Sequence, residues 1–283
     1  MKNDLIHMIN GKLVKETNLL IPVRDLGYLR GFAVFDFLVT YNNKAFMVDE
    51  HLDRLLNSAS SINLSHPWSR EQIKNMIAQT LQANSSDYDK TIKIILSGGK
   101  SRDGFTPENK PHLIIFLDKW EKTPVSLYQK GVKLITIKHK RHIPQSKTTD
   151  YLEAVKNSNL LKKEQAFEIL YYDDLQVYEG SRSNIFALIN GKLLTPENNI
   201  LRGITRKIVL EELRLPVSVL EKNFNLEELY KAEEVFITKS NSEIVPVVKI
   251  GSHAVGCGKV GKITKLAIKK FREFIKSERW LNK

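Results

Sequence analysis

Cysteine is almost missing from this chain of 283 residues, since Cys257 is the only one. A single cysteine cannot form a disulfide within the chain, and a zinc site built on cysteines needs more than one. Cys257 stands between Gly256 and Gly258, in a stretch typical of a loop, and no neighbour marks it as an activated thiol. The sequence therefore favours a bystander thiol over a catalytic one.

Long apolar runs are absent as well. No stretch approaches the roughly 20 apolar residues of a membrane span, and the opening residues Lys2, Asn3 and Asp4 do not form the apolar core of a signal peptide. The composition, 42% hydrophobic and 27% charged, is typical of globular proteins. We therefore expect a cytoplasmic enzyme with no membrane partner.

Acidic residues are under-represented: 32 Asp and Glu face 44 Lys and Arg, for a net charge of +12. Such a balance raises the possibility of a nucleic-acid-binding protein, the alternative from another functional class. The lysines are spread along the chain, however, and their densest run, from Lys259 to Lys276, follows the pattern of an amphipathic helix with a solvated face. We expect no nucleic-acid partner. The basic cluster from His139 to His142 is more typical of a solvated edge than of a metal site.

Turn and periodicity signals divide the chain into two parts. The first contains a hairpin turning at Asn10-Gly11, helices over 49–62 and 69–83, and strands over 91–96 and 112–117. The second contains a hairpin turning at Asn190-Gly191, a helix over 151–165, and a helix after Gly203. Its strands are predicted at 132–137, 168–172, 183–189 and near Val217, Val235 and Ile244. A polar segment with Pro124 separates the parts. We predict an α/β (α+β) fold with a small domain over 1–118, a linker over 119–127 and a large domain over 128–283.

The most informative stretch runs from Val177 to Phe186, because it places the carboxylate of Glu179 at a strand end before a hydroxyl-rich turn. Farther along, Gly203 opens a helix whose first N–H groups make an anion site. Together these segments resemble the fold type IV pyridoxal phosphate (PLP) enzymes, which include D-amino acid aminotransferases, branched-chain aminotransferases and aminodeoxychorismate lyases. The resemblance implies a small N-terminal α+β domain, a larger C-terminal pseudo-barrel domain, bound PLP and a homodimer.

The resemblance also implies roles for individual residues around the cofactor. Lys147, in the segment 143–152 and expected to enter a helix, would form the Schiff base with PLP, and Glu179 would pair with the pyridine nitrogen. Arg54, in the segment 49–55, would reach the phosphate. The remaining cofactor contacts would be the backbone N–H groups of Ile204 and Thr205, the hydroxyl of Ser240, and the side chain of Leu201 against the ring.

The substrate residues lie where the sequence departs from its relatives. In the segment 23–36, Arg30 occupies a position often held by an aromatic residue, and its planar guanidinium suits a substrate carboxylate. Arg102 lies near the position of an arginine that holds the substrate carboxylate in D-amino acid aminotransferases, although the accompanying histidine is missing. Asn241, next to Ser240, is the third candidate.

We therefore predict a PLP-dependent transaminase that exchanges an amino group between an amino acid and a 2-oxo acid, with D-amino acids favoured. A branched-chain L-amino acid aminotransferase and an aminodeoxychorismate lyase, which eliminates pyruvate, remain the alternatives that share the cofactor. No metal is expected.

Overall fold

The computed structural model describes residues 5–282 of the chain. These residues form two compact units. Unit 1 contains the N-terminal residues up to Glu121 together with the short segment Ser146–Asp150, and unit 2 contains Lys122–Gln145 and Tyr151–Trp280. The predicted mixed α/β fold is confirmed. No helix within residues 5–282 is both long enough and apolar enough to cross a membrane.

Unit 1 is an antiparallel sheet with two long helices on one face. Its strands and helices are β1 (Ile6–Ile9), β2 (Lys12–Lys15), α1 (Leu26–Arg30), β3 (Ala33–Tyr41), β4 (Lys44–Ala45), α2 (Val48–Ser61), α3 (Arg70–Gln82), β5 (Lys90–Ser97) and β6 (His112–Lys119). The strands are arranged in the order β2-β1-β6-β5-β3-β4. Alternate apolar residues of the central strands, such as Leu38 and Ile94, are buried with Leu52 and Leu55 of α2, which places β3 and α2 side by side.

Unit 2 is a nine-stranded mixed sheet with flanking helices. Its elements are α4 (Val125–Lys130), β7 (Val132–Lys138), α5 (Leu152–Lys156), α6 (Ser158–Lys163), β8 (Glu168–Tyr172), β9 (Val177–Gly180), β10 (Asn184–Ile189), β11 (Lys192–Thr195), α7 (Ile204–Glu211), β12 (Val219–Glu221), α8 (Leu226–Tyr230), β13 (Glu234–Lys239), β14 (Glu243–Ile250), β15 (His253–Ala254) and α9 (Lys262–Lys276). The main strand order is β12-β11-β10-β13-β14-β7-β8-β9. Its core contains Ile185, Ile237 and Val245 from adjacent strands.

Local signals predicted several elements well. Both hairpins are confirmed, with Asn10-Gly11 between β1 and β2 and Asn190-Gly191 between β10 and β11. Ser69 forms the predicted capping box with Gln72 at the start of α3. The helix over 151–165 was wrong in detail, because Asn157 interrupts it between α5 and α6. Strand β9 was not predicted as a separate element, and α4 begins inside the predicted linker.

The segment around Lys147 differs most from its prediction. Lys147 does not enter a helix; it lies in an extended segment that pairs with β3 of unit 1. Phe35 N donates to Lys147 O at 2.9 Å, and Thr149 N donates to Ala33 O at 3.1 Å. These bonds satisfy backbone groups that a helix would otherwise pair, so this lysine is held by the small sheet although neighbouring residues belong to unit 2.

Candidate functional site

Arg54 is held by a carboxylate in the core of unit 1. Asp36 projects from β3 towards α2 and is fully buried, and Arg54 Nε donates to its Oδ2 at 2.8 Å. Arg54 Nη2 donates to Asp36 Oδ1 at 2.8 Å, so the pair is bidentate. The guanidinium therefore has one orientation, fixed from the strand.

His51 completes this cluster one helical turn before Arg54. Its Nδ1 lies 2.6 Å from Asp36 Oδ1, and because a carboxylate only accepts, Nδ1 carries the hydrogen. Burial lowers the pKa of His51, and the nearby Asp36 carboxylate opposes that change only in part. Burial alone would raise the pKa of Asp36, but Arg54 and His51 outweigh it and hold that pKa well below its usual range. The cluster thus contains an ionised carboxylate, a guanidinium and a neutral imidazole.

Lys147 is anchored to the same helix. Its backbone N donates to Ser58 Oγ at 3.1 Å, while its backbone O accepts from Phe35. The side chain extends over the Phe35 ring, with Nζ 4.6 Å from the ring centroid. Unit 1 therefore brings two of the predicted residues, Arg54 and Lys147, to one helix and strand.

Replacing Asp36 by asparagine is expected to destabilise unit 1 strongly. Asp36→Asn leaves the buried Arg54 guanidinium without its counter-charge, which costs about 3 kcal/mol in the free energy of unfolding near pH 7. Because folding depresses the pKa of Asp36, this contribution is complete above the unfolded pKa of about 4 and is lost as pH falls towards the lower folded pKa. The difference between wild type and variant in urea unfolding should therefore shrink below about pH 4.

Asp53→Asn provides the matched control, since Asp53 lies on the same helix and accepts from Arg70 Nε at 2.8 Å but is 58% exposed. This variant should lose far less stability, because solvent screens exposed pairs. Equal losses in the two variants would contradict the account of Asp36.

In unit 2, Glu179 lies at the centre of a second polar cluster. Its side chain is 6% exposed and pairs with Arg141, whose Nε and Nη2 donate to Oε1 at 2.9 and 2.8 Å. Its Oε2 accepts from Leu201 N at 2.9 Å and from Asn184 Nδ2 at 3.4 Å. Asn184 Nδ2 also donates to Leu201 O at 2.7 Å, so one asparagine connects the carboxylate to the loop before α7. Leu201 thus contributes its main chain to this cluster, and its side chain is half-buried.

The N-terminus of α7 follows directly. Gly203 is its N-cap, no side chain caps it, and Ile204 and Thr205 begin the helix as buried residues. A Cβ on Gly203 would lie 2.1 Å from Asn184 Oδ1, so this close approach requires glycine. Arg206 anchors the first turn by donating to Pro196 O and Glu221 Oε1 at 2.8 and 2.7 Å. The arrangement presents N–H groups and the positive end of a helix to an anion.

Two buried hydroxyls of unit 2 have no hydrogen-bond partner within the described chain. Thr238 Oγ1 belongs to β13, directly across from Asn184, and Ser181 Oγ follows Glu179 in the turn. Buried hydroxyls ordinarily have partners, so these two indicate room for a polar ligand. The donor set fits the PLP that the sequence resemblance implies: an uncapped helix N-terminus and free hydroxyls for a phosphate, and a paired carboxylate for a pyridine nitrogen. Ser240 and Asn241 form the turn after β13, both half-buried.

The two substrate arginines lie on the surface of unit 1. Arg30 ends α1 and is exposed, and its Nη1 donates to Leu29 O at 2.9 Å. The Arg102 side chain is 88% exposed, with Nε 3.8 Å from Glu108 Oε1. Asp103 orders the loop around it by accepting from the backbone N of Phe105 and of Thr106 at 2.8 and 2.7 Å. Arg102 therefore projects from a rigid loop.

Sequence reasoning missed the residues that support these groups. Arg141 was assigned to a solvated edge, but it is largely buried against Glu179. Asp36, His51, Ser58 and Asn184 were not singled out at all. Only Asp36 had a clear signal, since it is the one charged residue in a largely apolar strand, and a buried charge requires a partner.

Comparison with known proteins gives consistent matches over nearly the whole chain. The family described as amino-transferase class IV matches residues 33–250. A protein of Methanocaldococcus jannaschii, provisionally named a branched-chain-amino-acid aminotransferase, is 33% identical over 276 residues, or 94% of each chain. A D-alanine aminotransferase of Staphylococcus haemolyticus is 30% identical over 277 residues, covering 95% of this chain and 97% of its own.

Solved structures agree with these matches. The branched-chain aminotransferase of Thermoproteus uzoniensis, determined with norvaline, has a TM-score of 0.89 and 27% identity and covers 99% of this chain and 98% of its own. The branched-chain aminotransferase of the organism abbreviated T.th., determined with pyridoxamine 5'-phosphate, has a TM-score of 0.89 at 23% identity and covers 99% of this chain and 96% of its own. The second likeness concerns the fold alone.

Proposed function

Since the chain belongs to the class IV aminotransferases, which are PLP-dependent, we propose that it transfers the amino group of a branched-chain L-amino acid to a 2-oxo acid. The observation that carries the substrate assignment is the apolar ring of Phe35 beside Lys147, at 4.6 Å from its amine. A substrate that reacts at this amine would place its side chain near that ring. Half-reactions of the PLP-loaded protein with L-leucine and with D-alanine, followed by cofactor absorbance, test the assignment, and pyruvate release from aminodeoxychorismate tests the lyase alternative.

We assign the cofactor contacts by chemistry. Arg54, the N–H groups of Ile204 and Thr205, and the hydroxyl of Ser240 would bind the phosphate, and Leu201 would line the ring. Glu179 would hold a proton on the pyridine nitrogen, because it is an ionised carboxylate paired with Arg141. Bound PLP accepts the electron pair left at the substrate Cα. Lys147 would bind the cofactor aldehyde and, once released by the substrate, move a proton between Cα and the cofactor C4′.

A D-amino acid, with D-alanine as the first candidate, is the second proposed substrate. Arg102 favours it, because this exposed guanidinium on a rigid loop is suited to a substrate carboxylate, and a D-alanine aminotransferase is 30% identical over 277 residues. The loop from 98 to 111 contains no histidine to accompany Arg102, which is why D-alanine stands second. Asn241 and Arg30 remain candidates for the substrate in either case.

We further propose that the protein is a homodimer in which Arg102 serves the site of the partner subunit. Unit 1 exposes large apolar side chains on its N-terminal segment and on the Arg102 loop, including Val23 at 69%, Tyr28 at 75% and Phe105 at 77%. Arg24 Nη1 donates to Arg102 O at 3.1 Å, which connects the two segments. A cavity of about 490 Å³ lined by Ile21, Val23 and Tyr28 lies on this surface. Such a surface is suited to a second copy of the chain.

Replacing Arg102 separates the two substrates. If the carboxylate of D-alanine binds here, Arg102→Ala should raise KM for D-alanine about 10²-fold, because a charge-assisted bidentate contact is lost, while reaction with L-leucine changes little. Steady-state kinetics with both substrates measure the ratio. Lys100→Ala, which removes one positive charge from the same exposed loop, is the control. Equal losses for both amino acids would rule out a role of Arg102 in choosing between them.

Complementation between subunits tests where Arg102 acts. Co-expressed Arg102→Ala and Lys147→Ala chains should regain D-alanine activity, because in the mixed dimer the intact Lys147 of one chain meets the intact Arg102 of the other. No recovery, with mixed dimers demonstrated by mass, would place Arg102 in the site of its own chain.

A further inference from the structure

A polar stripe runs along α2 of unit 1. It consists of His51, Arg54, Ser58 and Ser61, which recur every three or four residues and therefore share one face of the helix. The apolar residues Leu52, Leu55 and Ala59 are buried in the core of the unit. The stripe thus faces polar partners along one rigid helix.

Two segments of unit 1 meet this stripe at different turns. At one end Arg54 and His51 bind Asp36 of β3. One turn later Ser58 Oγ donates to Arg54 O at 2.7 Å and accepts from Lys147 N at 3.1 Å. At the far end Ser61 Oγ contacts Ser146 Oγ. The backbone of Lys147 is therefore bonded to the same helical turn that presents Arg54.

We propose that Ser58 is a positioning residue that fixes Lys147 relative to Arg54. This inference rests on the proposed function, in which Arg54 binds the phosphate of PLP and Lys147 its aldehyde. The aromatic ring holds these two groups at a constant separation, so both bind well only if the protein keeps the guanidinium and the amine at a matching separation. A single hydroxyl that bonds Arg54 O and Lys147 N performs that task, because it spans the helix and the segment.

The chain contains a matched case in which the same bond has no such partner. Thr80 Oγ1 donates to Met76 O at 2.7 Å within α3 and is fully buried, as Ser58 nearly is. Its hydroxyl makes the same bond to the preceding turn, far along the chain from Lys147. Ser58→Ala and Thr80→Val each remove only a hydroxyl from a buried helix, so their comparison separates positioning from helix stability.

The test compares two cofactor forms that differ at the reactive carbon. Pyridoxamine 5'-phosphate has the phosphate but no aldehyde, so its binding reports the phosphate contacts, whereas borohydride trapping of PLP reports access of Lys147 to the aldehyde. We expect Ser58→Ala to slow trapping of PLP by roughly five- to tenfold and to change the Kd of pyridoxamine 5'-phosphate less than twofold, consistent with loss of one oriented hydrogen bond. Thr80→Val should leave both measurements at wild-type values.

The outcomes distinguish this inference from the proposed function. If wild-type protein gives no trapped adduct on Lys147, the proposed function fails. If wild type is trapped and Ser58→Ala matches it, or if Ser58→Ala weakens both measurements as Thr80→Val does, Ser58 has only a structural role. Should Ser58→Ala not fold, as judged by its melting temperature, Ser61→Ala provides the same comparison through Ser146 and should slow trapping in the same direction.

Discussion

Lys147→Ala is expected to reduce transamination at least 10³-fold, because it removes both the amine that binds PLP and the group that moves the proton at the substrate Cα. The structure makes this lysine well suited to that role. Its backbone N and O are both bonded within unit 1, and Nζ lies over the Phe35 ring, so the side chain has a defined direction. The measurements are turnover with L-leucine and mass spectrometry of the borohydride-treated, PLP-loaded protein, which should show no adduct on the variant.

Lys93 provides a stringent control for this experiment. Its Nζ lies 5.2 Å from the centroid of the same Phe35 ring, so it shares much of the environment of Lys147. Lys93→Ala should retain the adduct on Lys147. An adduct found on Lys93 in wild-type protein, or full activity of Lys147→Ala, would contradict the assignment of the reactive amine.

The sequence predicted those parts of the fold whose causes are local. Asn10-Gly11 and Asn190-Gly191 turn their hairpins because both residues tolerate positive φ, and Ser69 opens α3 through a capping box confined to four residues. The family motifs around Lys147 and Glu179 are likewise short runs of adjacent residues. The class IV family, the mixed fold and the PLP dependence all followed from these runs and are confirmed by the matches.

The features that the sequence did not predict depend on contacts between distant segments. Lys147 was expected at a helix start, but the partners of its backbone, Phe35 and Ser58, lie far earlier in the chain. The same holds for Arg141, which a run of four basic residues concealed and which only the fold brings to Glu179. Local propensity carries no information about such pairs, because each partner is an ordinary surface residue when its own neighbours alone are considered.

Glu179 shows why these supporting residues matter for catalysis. Its carboxylate accepts from Arg141 on one oxygen and from Leu201 N and Asn184 on the other, so it is fixed in position and charge. An amide in its place would keep the shape but lose the charge that retains a proton on the pyridine nitrogen. We therefore expect Glu179→Gln to lower turnover by roughly 10²-fold, the typical loss when one such electrostatic group is removed. The absorbance spectrum of the bound cofactor should change at the same time.

Loss of stability has to be separated from this effect, because Glu179→Gln also leaves the largely buried Arg141 without its counter-charge. Arg141→Met with Glu179→Gln removes both charges and should recover unfolding free energy relative to Glu179→Gln alone, as a double-mutant cycle requires for a paired charge. Turnover of the double variant should stay low, since no carboxylate is restored. If turnover recovers together with stability, Glu179 acts only in the fold. If stability recovers and turnover does not, its charge acts on the cofactor, and Arg141 serves to hold that charge in place.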